Sequence, residues 1–204
     1  MERSQSRFNV THYAIIILAA GNSSRLGNPK QLLTYKGKTL LQSSIDSAKE
    51  VGSDQVIVVL GANKDLIANR INDKGIILIE NADWASGMAS SIKTGIEALK
   101  VISPKIDAII LMVCDQPYAD AELLKTLLLK QADTNSAIVG CRYENTIGTP
   151  ALFHSSLFPE LLLLQGDSGA KKLFEKYKKV ASFVSFENGG IDIDTSEDFK
   201  NLPK

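Results

Sequence analysis

Short runs of apolar residues recur along the chain without polar alternation, at 14–19, 56–60, 76–79, 108–113 and 137–140. Runs of this length that stay apolar at consecutive positions predict strands covered on both faces. Between them the apolar positions fall three and four apart. Leu41, Ile45 and Ala48 share one helical face and leave Lys49 and Glu50 for solvent. Over 121–130, Leu123, Leu124, Leu127 and Leu128 form a wide stripe, with Asp120 placed to cap it. Ile92, Ile96 and Leu99 repeat the pattern over 90–100, and Thr195 with Asp198 resembles a capping box opening a last helix. Strands alternating with helices predict βαβ units, a mostly parallel sheet and right-handed crossovers. With no Pro/Gly/Ser-rich linker or internal repeat to divide the chain, the fold class is one α/β domain, a three-layer α/β/α sandwich over 13–204. The polar segment 1–12 is expected to be a disordered leader.

Composition narrows the choice. The 204 residues are 44% hydrophobic and 23% charged, as in a globular protein rather than a disordered one. Lys plus Arg and Asp plus Glu balance at 23 each, so the basic excess of a nucleic-acid binder is missing. A local positive pocket for a small anion remains compatible with that balance. Two cysteines, Cys114 and Cys141, and two histidines, His12 and His154, are too few for a disulfide framework or a histidine-rich zinc site. Cys114 ends an apolar run and reads as a buried small hydrophobe, and free thiols suit a reducing cytoplasm. The run 13–20 is too short to span a membrane and lacks the cleavage pattern of a secretory signal. The expected partners are therefore small molecules, with neither nucleic acid nor membrane.

In such sheets ligands sit beyond the carboxyl ends of the strands, so the segments that follow the apolar runs carry the candidate chemistry. After the first run comes Leu18-Ala19-Ala20-Gly21-Asn22-Ser23-Ser24-Arg25-Leu26-Gly27-Asn28-Pro29-Lys30-Gln31-Leu32. Small residues there let backbone N–H groups approach a phosphate, Arg25 offers a planar fork, and Lys30 offers a point charge behind the stiff Pro29. No Gly-Lys-Ser/Thr follows, so this is not a Walker loop; without a G-x-G-x-x-G, a dinucleotide-dependent oxidoreductase is disfavoured. The fourth run ends in Cys114-Asp115-Gln116-Pro117, where a carboxylate at a strand end can offer a hard oxygen ligand to Mg²⁺. Further on, Asp192-Ile193-Asp194 reads as alternating strand with both carboxylates on one side.

The ordered string LAAGNSSRLGNPKQLL resembles the signature of the nucleotidyltransferases that attach a nucleotide to molybdopterin, within the wider nucleotide-diphospho-sugar transferase superfamily. The resemblance runs from about residue 13 to 202 and implies a Rossmann-like fold of that superfamily. It implies that Leu18, the Ala19-Ala20-Gly21 backbone, Arg25 and Lys30 hold a triphosphate, and that Asp115 and an acidic residue near the C-terminus, here Asp194 in preference to Asp192, hold magnesium. Arg25, Lys30 and Asp115 are then the catalytic candidates. Cys114 stands where relatives carry glycine.

The stretch Asn81-Ala82-Asp83-Trp84-Ala85-Ser86-Gly87-Met88-Ala89-Ser90-Ser91 is similar to the cytidylyl branch, which places Asn81, Gly87, Met88 and Ser91 near the base or ribose. Trp84 is expected to pack rather than stack on the base. Gln116, Gly148-Thr149-Pro150 ahead of a strand at 151–153, and Asp167, Gly169 and Lys171 at a helix start are expected to face the acceptor. Lys171 replaces the arginine usual in relatives, which removes a bidentate phosphate contact. The LAAG form favours CTP over GTP and molybdopterin as acceptor. The alternatives are a guanylyltransferase, a CTP-dependent sugar- or polyol-phosphate enzyme, and a non-catalytic nucleotide-binding accessory of molybdoenzyme maturation. The resemblance also leaves room for a molybdoenzyme or chaperone partner.

Overall fold

The computed structural model describes residues 8–203 apart from Ser24, Arg25 and Ser168. Strands β1 (Tyr13–Ala19), β4 (Gln55–Leu60), β5 (Ile77–Glu80), β6 (Ala108–Val113), β7 (Ile138–Tyr143), β8 (Thr146–His154) and β9 (Ala181–Ser185) form one sheet in the order β5-β4-β1-β6-β8-β7-β9. β1 pairs in parallel with β4 and β6, whereas β8 runs antiparallel to both β6 and β7. A separate two-residue hairpin joins β2 (Thr34–Tyr35) and β3 (Lys38–Thr39).

The helices lie on both faces, and β1 shows why. Its side chains alternate, so Ala14, Ile16 and Leu18 pack against Ile92, Ile96 and Leu99 of α3 (Met88–Ile102). Ile15, Ile17 and Ala19 meet Leu41, Ile45 and Ala48 of α1 (Leu40–Glu50), together with Leu124 and Leu127 of α4 (Ala121–Thr134). Around these lie α2 (Lys64–Ala68), α5 (Phe158–Leu162), α6 (Lys171–Lys176) and α7 (Ser196–Lys200). The caps follow the sequence: Thr39 accepts from the Gln42 N–H, Asp120 from the Leu123 N–H, and Thr195 with Asp198 closes a full capping box. The three-layer, mostly parallel sandwich is as expected.

Four expectations are corrected. β5 is an edge strand and alternates half-buried and exposed positions, because Ile77 and Ile79 face the core cluster under α3 while Leu78 and Glu80 point to the other, more open face. Residues 192–194 are not in a strand; Ile193 is instead buried against Leu40 and Leu202, and its N–H donates to the Asp115 carbonyl at 3.0 Å. Gly148, Thr149 and Pro150, joined through a cis Thr149–Pro150 bond, lie within the nine-residue β8 rather than ahead of it. Part of the expected leader is bound to the domain. The Phe8 N–H donates to Asn135, and Asp107 accepts from the N–H groups of Thr11 and His12.

Candidate active site

The sheet order reverses around β1, since its β4 neighbour leads outward on one side and its β6 neighbour on the other. A crevice opens at such a switch point beyond the strand ends. Three strand ends or loops deliver the charged groups to it. Beyond β1, Pro29 leads into a 3-10 turn over Lys30–Leu32, and the Lys30 N–H donates to Ser23 Oγ at 3.0 Å. Just past β6 lies Asp115. Asp194 comes from the C-terminal loop, held in place by buried Ile193 and by its own N–H donating to Asp198 Oδ2 at 3.1 Å.

The Lys30 ammonium donates to Asp115 Oδ2 and, at 2.9 Å, to Asp194 Oδ1, so one cation bridges two carboxylates that lie 79 positions apart in sequence. Burial works against the ammonium. The Asp115 charge and the hydrogen bonds to Asp115 and Asp194 outweigh it and hold Lys30 above the ordinary lysine range. Asp115 Oδ1 is buried and has no hydrogen-bond partner among the described residues, an orphaned acceptor beside the crevice. Desolvation, followed by the charges of Asp115 and Asp194, pushes the Asp192 carboxyl up to about 6. The Cys114 thiol is pushed up to about 12 by burial and the Asp115 charge, so it stays protonated and contributes only bulk.

A cavity of about 370 Å³ opens at this crevice. Leu18, Ala19, Ala20 and Gly21 line it from the loop, and Lys30 and Asp115 from the charged cluster. Gly87, Met88 and Ser91 close it from the start of α3. Gly87 has φ +105, and a Cβ there would lie 2.5 Å from the Gly166 carbonyl carbon; only glycine lets these two loops touch. That contact brings Asp167, expected beside the acceptor, onto the wall of this cavity instead.

A second cavity of about 180 Å³ shares Met88 and takes in Gly148, Thr149, Gly169 and Lys171, four of the residues expected to face the acceptor. Asn81, Gln116 and Pro150 line neither cavity. Asn81 is buried, donating to Ser90 and Ser91 and accepting from the Asp83 N–H. Gln116 donates to the Gly189 carbonyl at 2.9 Å and accepts from Thr149, so it fastens loops together. Arg25 lies outside the described residues.

Among the lining residues, sequence reasoning took Trp84 as packing and did not single out Gln31 or Tyr143. Trp84 walls the first cavity, with its Cβ packed where Gly61 leaves room. Gln31 lies at its floor, with only its place between Lys30 and Leu32 to mark it. Tyr143 borders the second cavity because Gly148, five residues on across the β7–β8 hairpin, and the distant Gly189 make space for its ring.

The MobA-like NTP transferase domain matches residues 15–180. The chain belongs to that family. It is 30% identical over 196 residues to nicotine blue oxidoreductase of Paenarthrobacter nicotinovorans, covering 92% of this chain and 94% of that protein. It is 34% identical over 85 residues to the molybdenum cofactor cytidylyltransferase of Escherichia coli K12, covering 42% of this chain and 44% of that one. The crystal structure of Rv0371c from Mycobacterium tuberculosis H37Rv superposes with a TM-score of 0.79 at 30% identity, covering 94% of this chain and 98% of that chain. A second structure of Rv0371c is a complex with manganese, with a TM-score of 0.77, 29% identity and coverage of 94% and 98%. As a MobA-like transferase, the chain is a nucleotidyltransferase acting on small molecules. Among its described residues no helix is long and apolar enough to cross a membrane.

Proposed function

We propose that this MobA-like transferase moves CMP from CTP onto the phosphate of molybdopterin and releases pyrophosphate. The carrying observation is the Lys30 ammonium bridging Asp115 and Asp194 at a cavity lined by the Leu18–Gly21 loop. Molybdopterin as acceptor rests on the partial match to the Escherichia coli cytidylyltransferase.

The donor set suits a divalent cation. Magnesium binds through one or two carboxylates and completes its shell with phosphate oxygens and water. Asp115 and Asp194 supply the carboxylates, and the orphaned Asp115 Oδ1 is a free hard oxygen. Among the described residues no group of three or more His, Cys, Asp or Glu forms a ready metal cage, as suits an ion completed by its substrate. The manganese complex of Rv0371c supports the same class of ion. When bound, Mg²⁺ offsets charge on the phosphates and in the transition state.

The chain's own residues position and neutralise. Lys30, and Arg25 by the family resemblance, hold the β- and γ-phosphates while Gly87 and Ser91 border the nucleoside. The cavity beside Met88 and Lys171 orients the acceptor so that its phosphate oxygen attacks the α-phosphate in line with the departing pyrophosphate. That nucleophile is already ionised at neutral pH, so no general base is needed, and no histidine lines either cavity.

The test is pyrophosphate release from CTP, GTP, ATP and UTP with molybdopterin and with sugar and polyol phosphates. CTP with molybdopterin is expected to turn over fastest. Preference for GTP would make the chain a guanylyltransferase, and turnover only with a sugar or polyol phosphate would replace the acceptor. Nucleotide binding without pyrophosphate release from any pair would point to an accessory role. The whole-length likeness to nicotine blue oxidoreductase puts a redox assay with nicotine blue beside this screen; activity only there would overturn the proposal.

A further inference from the structure

Gln31, one residue past Lys30, is the least exposed of the buried polar residues among those described, at 1%. A carboxamide so placed must find partners for two N–H donors and a carbonyl. Its Nε2 donates to the Ala19 carbonyl at 2.8 Å and to the Gly21 carbonyl at 3.0 Å. Its Oε1 lies 3.5 Å from Ser23 Oγ, the same hydroxyl that accepts the Lys30 N–H. One side chain thus fastens alternate residues of the loop after β1.

The peptide plane turns this into a statement about the ligand. In a trans peptide the carbonyl of one residue and the N–H of the next point in opposite directions. With the Ala19 and Gly21 carbonyls drawn onto Gln31, the N–H groups of Ala20 and Asn22 point away from it. A loop that holds linked phosphates must offer N–H groups and keep carbonyl oxygens from facing the anion. Packing does not impose that choice at Gly21, where a Cβ would meet nothing within 4 Å.

We propose that Gln31 is a positioning residue that presets the peptide orientations of the Ala19–Asn22 loop for a nucleoside triphosphate. The proposal rests on the triphosphate lying on this loop, as argued above. The Ala20 carbonyl is held separately by the Ala62 N–H at 3.0 Å, but without Gln31 the Ala19 and Gly21 carbonyls lose the partner that draws them away from the phosphates, so the loss on removing Gln31 falls on the phosphates rather than on the nucleoside.

The test compares the wild-type chain with Gln31→Met, Gln31→Glu and Gln31→Asn. Met keeps the volume and loses every hydrogen bond, Glu keeps the shape and replaces the donors with charge, and Asn keeps the amide one methylene short. Calorimetry gives the affinity for CTP and for cytidine, both with Mg²⁺, thermal unfolding checks the fold, and steady-state rates separate KM from kcat. Met and Glu are expected to weaken CTP binding by roughly 10- to 100-fold, Glu more than Met, and to leave cytidine nearly unchanged, with Asn in between. Parallel losses of CTP and cytidine, or CTP affinity like that of wild type in a folded variant, overturn the proposal. If Met and Glu do not fold, Asn decides by the same comparison. Equal affinities across the variants sink only the role of Gln31. A wild-type chain that binds none of the four triphosphates sinks the proposed function with it.

Discussion

At the scale of single residues, the site is a set of charges that offset one another. Lys30 holds Asp115 Oδ2 and Asp194 Oδ1, so in the proposed site ammonium and metal compete for the same two carboxylates. Lys30→Met is therefore expected to bind Mn²⁺ more tightly without nucleotide, by about tenfold on the scale of one lost charge neighbour, and yet to lose turnover. Paramagnetic titration and pyrophosphate release measure the two halves, and weaker Mn²⁺ binding would refute the competition. Asp115→Asn is expected to lower kcat by roughly 100- to 1000-fold, the usual cost of one electrostatic contact in a transition state. Steady-state kinetics on the folded variant tests that. Asp115 was singled out from the sequence because a carboxylate directly after a buried strand lies where such sheets place their ligands. Gln31 was not, since nothing local says that an amide will be buried beneath the loop 12 residues before it.

At the scale of elements, caps and close approaches set stability. Asp120 accepts from the Leu123 N–H at 2.9 Å, and Asp120→Ala is expected to cost about 1 kcal/mol, read from denaturant unfolding. A Cβ on Gly95 of α3 would lie 2.8 Å from Ile16 Cγ2, so Gly95→Ala is expected to force helix and sheet apart at a cost of about 1–3 kcal/mol, despite the better helix propensity of alanine. A stabilised Gly95→Ala in the same assay would contradict that packing. The N-terminal segment is fastened by Asp107, which accepts from Thr11 and His12. Burial alone would raise the Asp107 pKa, but these hydrogen bonds outweigh it and hold it below the ordinary value of 3.8. A depressed carboxyl contributes its stability above the unfolded pKa and loses it as pH falls through the lower folded value. Asp107→Asn is thus expected to be less stable near neutrality and to show a flatter acid limb below about pH 4, measured as melting temperature against pH. Helix faces and caps were readable because a period of three to four residues and an N-cap are local; the extent of β8 and the edge position of β5 were not, because they depend on which strands pair.

At the scale of the whole molecule, ligand and fold are linked. A triphosphate that binds only the native state at 100 times its Kd adds about 2.7 kcal/mol, which for a chain of this size raises the melting temperature by roughly 5–10 °C. Thermal unfolding with CTP and Mg²⁺ is expected to show that rise and Asp115→Asn much less of it; equal shifts would detach Asp115 from the metal-nucleotide complex. The sequence alone determined the α/β class and pointed to the loop after the first strand, Lys30 and Asp115 as candidates, because strand hydrophobicity, helical period and the LAAG-to-PK string are all local patterns, whereas Asp194 entered only through the family resemblance. Tertiary structure alone decided the reversal of strand order beside β1, the bridging of two distant carboxylates by one ammonium, the meeting of Gly87 with Gly166, and the inward turn of Gln31. Those are contacts between segments far apart in the chain, and their geometry exists only once the sheet has brought the strand ends together.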